Sequence, residues 1–233
     1  MFTVKFDFDF DEYKKNVKTY KLNHTKPYHF SELARSQIRD ACALLGIIAQ
    51  QVVLRSPARD SLLREYFGTD TDATLMNNLK RMNDVINGDD NAVTFVDGTD
   101  RHVAVKVDPQ NLDNPQKLMD TPYGDAVMKN AGAWVHTLPG TGAPRKPGEY
   151  HVGSGYRIIL GRAWSRCATD IYERAGVIFH ELTHKVLGTN DHVYGKTKCK
   201  GLVTNKEIAK TMKNADNYNY FVEELAKNLR PNA

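Results

Sequence analysis

Apolar and polar positions alternate at the start of the chain, with Phe2, Val4, Phe6, Phe8 and Phe10 set against Thr3, Lys5, Asp7 and Asp9. That is the period of a half-buried strand, which needs a sheet or surface to cover one face. The period then lengthens. From Ser31-Glu32-Leu33-Ala34, apolar residues recur at Ile38, Ala41, Leu45 and Ile48, predicting a helix to about Leu54, where Ser56-Pro57 breaks it. Two shorter helices are expected from Pro57 to about Phe67 and from Asp72 to about Ile86, the second ending near Asn87-Gly88. The N-terminal third thus reads as mainly helical.

Beyond Ala92 the signals change. Val93 to Val96 and His102 to Val107 flank Asp97-Gly98-Thr99-Asp100, a turn-rich spacer that predicts a β-hairpin. Residues 108–148 are rich in Pro, Asn and Gly and read as irregular. Tyr156 to Leu160 is a short strand, and Thr169 to Leu187 a helix with apolar residues at Ile171, Ala175, Ile178, Leu182 and Val186. Thr204-Asn205-Lys206-Glu207 has the form of a capping box opening a helix to about Asn214, and a last helix is expected from about Asp216 to Leu229. The organisation read from this is an N-terminal helical and hairpin part, residues 1–149 with 1–30 as an extension, and a second part, 150–233.

With 233 residues, 41% hydrophobic and 26% charged, the chain can bury a full core. No run approaches the roughly 20 apolar residues of a membrane span, and the first residues lack the pattern of a signal peptide. Localisation stays open on these grounds. The formal charge of +4 is a mild, dispersed excess, and Lys196 to Lys200 reads as a solvated loop without interleaved aromatics, so nucleic acid is not implied. Cys42, Cys167 and Cys199 are too few for a disulfide scaffold; a bridge between Cys167 and Cys199 and two buried thiols both stay open.

The chemistry concentrates in the helix of His180-Glu181-Leu182-Thr183-His184. Residues four apart project from one helical face, so both imidazoles can bind one metal ion, while Glu181 is placed to take a proton from a water that attacks a peptide carbonyl. Two imidazoles and a carboxylate on a largely apolar helix are costly unless partnered, and a divalent ion is the simplest partner. A catalytic zinc commonly takes three protein ligands. Gly188-Thr189-Asn190-Asp191 ends the helix, turns the chain and presents Asp191 as the third ligand, with His192 the competing candidate.

His-Glu-x-x-His followed by Gly-Thr-x-Asp-x-x-Tyr-Gly, through Gly188, Thr189, Asp191, Tyr194 and Gly195, resembles the aspzincin signature of deuterolysins and peptidyl-lysine metalloendopeptidases. The resemblance spans roughly residues 150–229, and the short spacing from His184 to Asp191 is closer to bacterial relatives. It implies an α+β, mainly helical zincin-like domain with a small antiparallel sheet and the two-histidine helix at the active site. It further implies Zn2+ on His180, His184 and Asp191, Glu181 as base and acid, and Tyr194 as oxyanion donor, against the plainer reading of Tyr194 as a core aromatic. Asn214 to Phe221 is similar to the stretch that lines the pocket for the residue after the scissile bond in lysine-specific relatives. Asp216 keeps an acid there and Asn219 stands where those relatives carry a glutamate, so a basic residue is favoured without strict lysine specificity. Asp216 as an N-cap of the last helix is the competing reading, and Tyr156 to Leu160 is expected to be the edge strand that pairs with an extended peptide.

The function expected is therefore a zinc endopeptidase acting on protein or peptide substrates. The alternative is a metal-stabilised binding or toxin module delivered by a secretion system, with an immunity or inhibitor protein as partner.

Overall fold

The computed structural model describes residues 1–6, 30–88, 91–97, 133–134, 156–160, 164 and 168–229. Its strands are β1 (Thr3–Phe6), β2 (Ala92–Asp97), β3 (Ala133–Trp134) and β4 (Tyr156–Leu160). Its helices are α1 (Glu32–Gln51), α2 (Pro57–Phe67), α3 (Ala73–Asn87), α4 (Ile171–Leu187), α5 (Lys196–Thr204), α6 (Ile208–Thr211) and α7 (Ala215–Asn228). The described residues form a mainly helical α+β fold, as expected.

Local chemistry explains where the helices begin. Ser31, Ser56 and Asp72 each accept a hydrogen bond from a backbone N–H three residues on, the orphan-donor solution that starts α1, α2 and α3. Asp170 and Glu173 form a reciprocal capping box at the start of α4, and Gly188 closes it at φ 68°, a conformation open to glycine.

The sheet differs from the antiparallel one expected. Its order is β1-β2-β4-β3, with β1/β2 and β2/β4 parallel and only β3/β4 antiparallel. Parallel neighbours need long crossovers, and among the described residues three helices lie between β1 and β2. Both edges of β2 are taken from Val93 to Phe95, which leaves no edge there for the expected hairpin partner; residues 102–107 lie outside the described residues. β4 is an open edge only in part: β3 pairs with it at Ile159 and Leu160, and on that side Tyr156 to Ile158 have no strand partner among the described residues.

Two expectations after α4 also fail. Lys196 to Lys200 is not a loop but the first turns of α5: Cys199 and Leu202 are buried on one face, while Lys196 pairs with Glu224 and Lys200 with Glu65. Thr204 consequently ends a helix instead of capping one, and the helix expected up to Asn214 shrinks to the single turn of α6. Cys199 is a free buried thiol, and Cys167 lies outside the described residues.

One core joins sheet and helices. Val93, Phe95, Ile158 and Leu160 pack with Ile38, Leu45 and Ile48 of α1, Ile178, Phe179 and Leu182 of α4, and Tyr218, Phe221 and Leu225 of α7. Each such side chain contributes roughly 1.5–3 kcal/mol on burial. α4 touches α1, α3, α7 and β4, so the motif helix sits at the centre. α7 runs antiparallel along it, since His180 faces Asp216, Gly176 faces Asn219 and Asp170 faces Lys227. The helices approach closely at Gly176, where an added Cβ would overlap the Asn219 side chain.

Candidate metal centre

His180 and His184 project from the same face of α4 because they are one turn apart. The left-handed turn at Gly188 then folds the chain back, and Asp191 returns to the imidazoles. The ligand atoms make a triangle: His180 Nε2 to His184 Nε2 is 3.1 Å, His180 Nε2 to Asp191 Oδ1 3.2 Å, and His184 Nε2 to Asp191 Oδ1 3.4 Å. A tetrahedral ion with ligands at about 2.0–2.1 Å has an edge of about 3.3–3.4 Å between any two of them. The three side chains therefore fit one face of a tetrahedral site and leave its fourth corner outside the triangle. Nitrogen, nitrogen and carboxylate oxygen are also the donor set that suits zinc.

The partners of the ligands set which nitrogen is offered. His180 Nδ1 lies 2.9 Å from Asp216 Oδ1, and His184 Nδ1 lies 2.8 Å from the Thr189 carbonyl. With each Nδ1–H donating to these acceptors, both Nε2 lone pairs face the triangle. Thr183, inside the motif, donates to the His180 carbonyl and shares a 2.7 Å hydroxyl contact with Thr189, so the loop is tied to the helix it leaves.

Electrostatics sharpen the arrangement. Burial disfavours a charged His180, but hydrogen bonds to Asp191 and Asp216 and the charge of Glu181 outweigh it and raise the imidazole to about 10. His184 is raised by the same balance of burial against Asp191 and Glu181. Burial opposes the charge on Asp191, yet the two imidazoles hold its carboxyl well below the usual range. The cluster thus concentrates negative charge that attracts a cation. Glu181 is buried, and desolvation raises its carboxyl, which suits a group that both takes and returns a proton.

Tyr194 is 61% exposed, not a core aromatic. Desolvation and its interaction with the Asp191 carboxylate raise the phenol, so it keeps its proton for donation. His192 is exposed, held by its backbone N–H on Asn214, and stands outside the triangle. Asp216 is 5% exposed, with Oδ1 on His180 and Oδ2 accepting from Gly195 N at 2.9 Å. The N-cap position of α7 is Asn214, so Asp216 lies in the first turn and not at the cap. Asn219 is buried against Gly176, its Oδ1 without a hydrogen-bond partner among the described residues. Asn214 is a residue to which sequence reasoning gave no role; its position before the last helix was visible, but its contacts, made across 21 and 22 residues, were not.

Comparison with known proteins bears on the same stretch. Residues 158–223 match the aspzincin family, described as lysine-specific metallo-endopeptidase. It is over this segment that the chain is similar to the aspzincin family. Over 71 residues the chain is 36% identical to a peptidyl-Lys metalloendopeptidase of Armillaria mellea, covering 30% of this chain and 20% of that protein. It is 38% identical over 71 residues to an extracellular protease of Aeromonas hydrophila, covering 29% of this chain and 20% of that protein. The aspzincin segment thus spans about a fifth of the length of these curated relatives. A solved zinc peptidase from Grifola frondosa superposes with a TM-score of 0.51 at 19% identity, over 83% of this chain and 96% of that one, a likeness of fold. That likeness reaches beyond the aspzincin segment into the N-terminal helices, which carry no motif of their own.

Proposed function

We propose that the chain is a zinc-dependent endopeptidase that hydrolyses internal peptide bonds. The observation that carries this is the His180, His184 and Asp191 triangle at tetrahedral spacing, with buried Glu181 beside it and Tyr194 on the same loop as Asp191. Zinc, when bound there, supplies the Lewis acidity that polarises the scissile carbonyl and acidifies the attacking water. Glu181 takes the proton from that water and hands it to the leaving amine, a double role served by its raised carboxyl. Tyr194 donates its hydroxyl to the oxyanion as the carbonyl becomes tetrahedral. Asp216 and Thr189 hold the imidazoles in the tautomer that binds.

A preference for a basic residue after the scissile bond is supported by the family description and by an acid at Asp216. Both oxygens of Asp216 are already engaged and Asn219 is neutral, so discrimination for lysine is expected to be loose. The name of the Aeromonas relative supports protein substrates met outside the producing cell. No helix among the described residues is long and apolar enough to cross a membrane.

Glu181→Gln is the direct test: it should keep zinc by metal analysis while abolishing cleavage of a denatured protein. Cleavage that survives this change would refute the mechanism.

A further inference from the structure

Asp191 and Tyr194 sit on one short loop, and the stretch between them is held to the start of α7 by one buried amide, the side chain of Asn214. Asn214 is wholly buried. Its Oδ1 accepts from His192 N at 2.8 Å and from Val193 N at 3.1 Å. Its Nδ2 donates to the Val193 carbonyl at 3.2 Å and to Asn217 Oδ1 at 2.7 Å, with Cys199 Sγ at 3.6 Å. The residues it grips, 192 and 193, are those that separate Asp191 from Tyr194. The backbone on either side is anchored to the same turn: Asn190 N donates to the Lys213 carbonyl, Ala215 N to the Asn190 carbonyl, and Gly195 N to Asp216.

We infer that Asn214 is a positioning residue that sets Asp191 as metal ligand and Tyr194 as oxyanion donor at once. The inference rests on the zinc endopeptidase reading above. The chemistry demands an amide. Its two lone pairs meet two N–H donors while its two N–H groups meet two carbonyl-type acceptors, so both ends are saturated. An isosteric carboxylate keeps the first pair and turns the second into acceptor against acceptor, at a fully buried point. The loop would then shift relative to α4, and ligand and phenol would move together. Cys199 and Asn217 behind the amide complete its support, and Asn217 Nδ2 in turn donates to the Tyr66 carbonyl at 2.6 Å, which ties the clamp to α2.

The test is Asn214→Asp, compared with Asp191→Ala and with the double variant. Zinc affinity is measured by chelator competition, and the cobalt-substituted protein gives the ligand geometry by its visible spectrum. Asn214→Asp should weaken zinc by about 10- to 100-fold, the usual effect of losing a partner of a ligand. It should also lose the intense tetrahedral cobalt bands, and lower kcat with little change in KM. In the Asp191→Ala background the same change should leave zinc affinity where Asp191→Ala put it, because the clamp acts through Asp191. Asn214→Ser, which keeps an acceptor but cannot serve both faces, is read in the same way if Asn214→Asp does not fold. Wild-type zinc affinity and cobalt spectrum in either variant would overturn the inference, as would an equal loss in the Asp191→Ala background or failure of both variants to fold. A wild-type chain that binds no zinc would instead sink the endopeptidase reading.

Discussion

Asp216 offers the sharpest decision, because two roles for it predict different measurements. In the structure its Oδ1 stands 2.9 Å from His180 Nδ1 and its Oδ2 2.9 Å from Gly195 N, at a side chain only 8% exposed. Asp216→Ala removes both acceptors and leaves the His180 Nδ1–H buried without a partner. A buried unsatisfied donor costs about 1–3 kcal/mol, and loss of a partner that orients a ligand typically weakens metal binding 10- to 100-fold, about 1.4–2.8 kcal/mol. The two ranges agree, so zinc affinity should fall by that factor. Asp216→Asn keeps an acceptor for His180 but points an amide donor at the Gly195 N–H, and should fall toward the lower end. The assay is zinc affinity by chelator competition, run beside a cleavage profile on a peptide library. If Asp216→Ala leaves zinc affinity intact and removes only a preference for Lys or Arg after the scissile bond, the ligand-orienting role is wrong and Asp216 belongs to the substrate pocket.

Tyr194→Phe should lower kcat by about 10²- to 10³-fold with zinc content and KM largely kept, the size of losing one oxyanion donor; steady-state kinetics on a quenched peptide checks it. Zinc binding should strengthen as pH rises, because the metal displaces the proton that Asp191, Asp216 and Glu181 hold on His180 up to about 10. The sign for the metal-stripped protein is the opposite. A folded-state pKa raised from 6.5 to about 10 contributes stability that is complete below about 6.5 and is lost as pH climbs toward 10. Tm of the chelated protein across that window, beside zinc affinity over the same range, reads both; a chelated Tm that rises through the window would contradict the assignment.

What the sequence disclosed was governed by distance along the chain. Caps and stops act within a turn, so Ser31, Ser56-Pro57, Asp72 and Gly188 placed α1 to α4 closely, and the spacing of His180, Glu181 and His184 defined one face of α4. The return of Asp191 to that face followed from the glycine turn and the family resemblance together. Strand pairing was misread because β2 pairs with β1 and β4 across long connections, while a nearby Asp-Gly suggested a local partner. Lys196 to Lys200 looked like a solvated loop because its helical face consists of Cys199 and Leu202 alone, and their burial depends on neighbours far away in sequence. Asn214 and the inward turn of Asp216 were hidden for a related reason. The Asp216 carboxylate at a helix start reads as a cap, and only the fold shows that it looks back to α4 while the Asn214 amide looks back to the loop.

If the N-terminal part and the part that carries the motif were separate domains, residues 150–233 would suffice alone. The contacts argue otherwise. Asn217 behind the clamp donates to the Tyr66 carbonyl on α2, and Tyr218 of α7 has its hydroxyl 3.0 Å from Asn78 Nδ2 on α3. Arg81 of α3 donates to the Val186 carbonyl in the last turn of α4, supplying a donor to a carbonyl that the helix end leaves unpaired. Phe67 packs on both Tyr218 and Phe221, so α7 also loses its aromatic cover if α2 is removed. A fragment of residues 150–233 would expose that apolar face and strip the clamp of its backing, leaving the motif complete in sequence but without the support that holds its geometry. Such a fragment should show little cooperative unfolding by circular dichroism and zinc affinity far below that of the whole chain. A fragment that melts cooperatively and binds zinc as tightly as the full protein would show that the N-terminal helices are dispensable to the centre, and the two parts would then be separate domains.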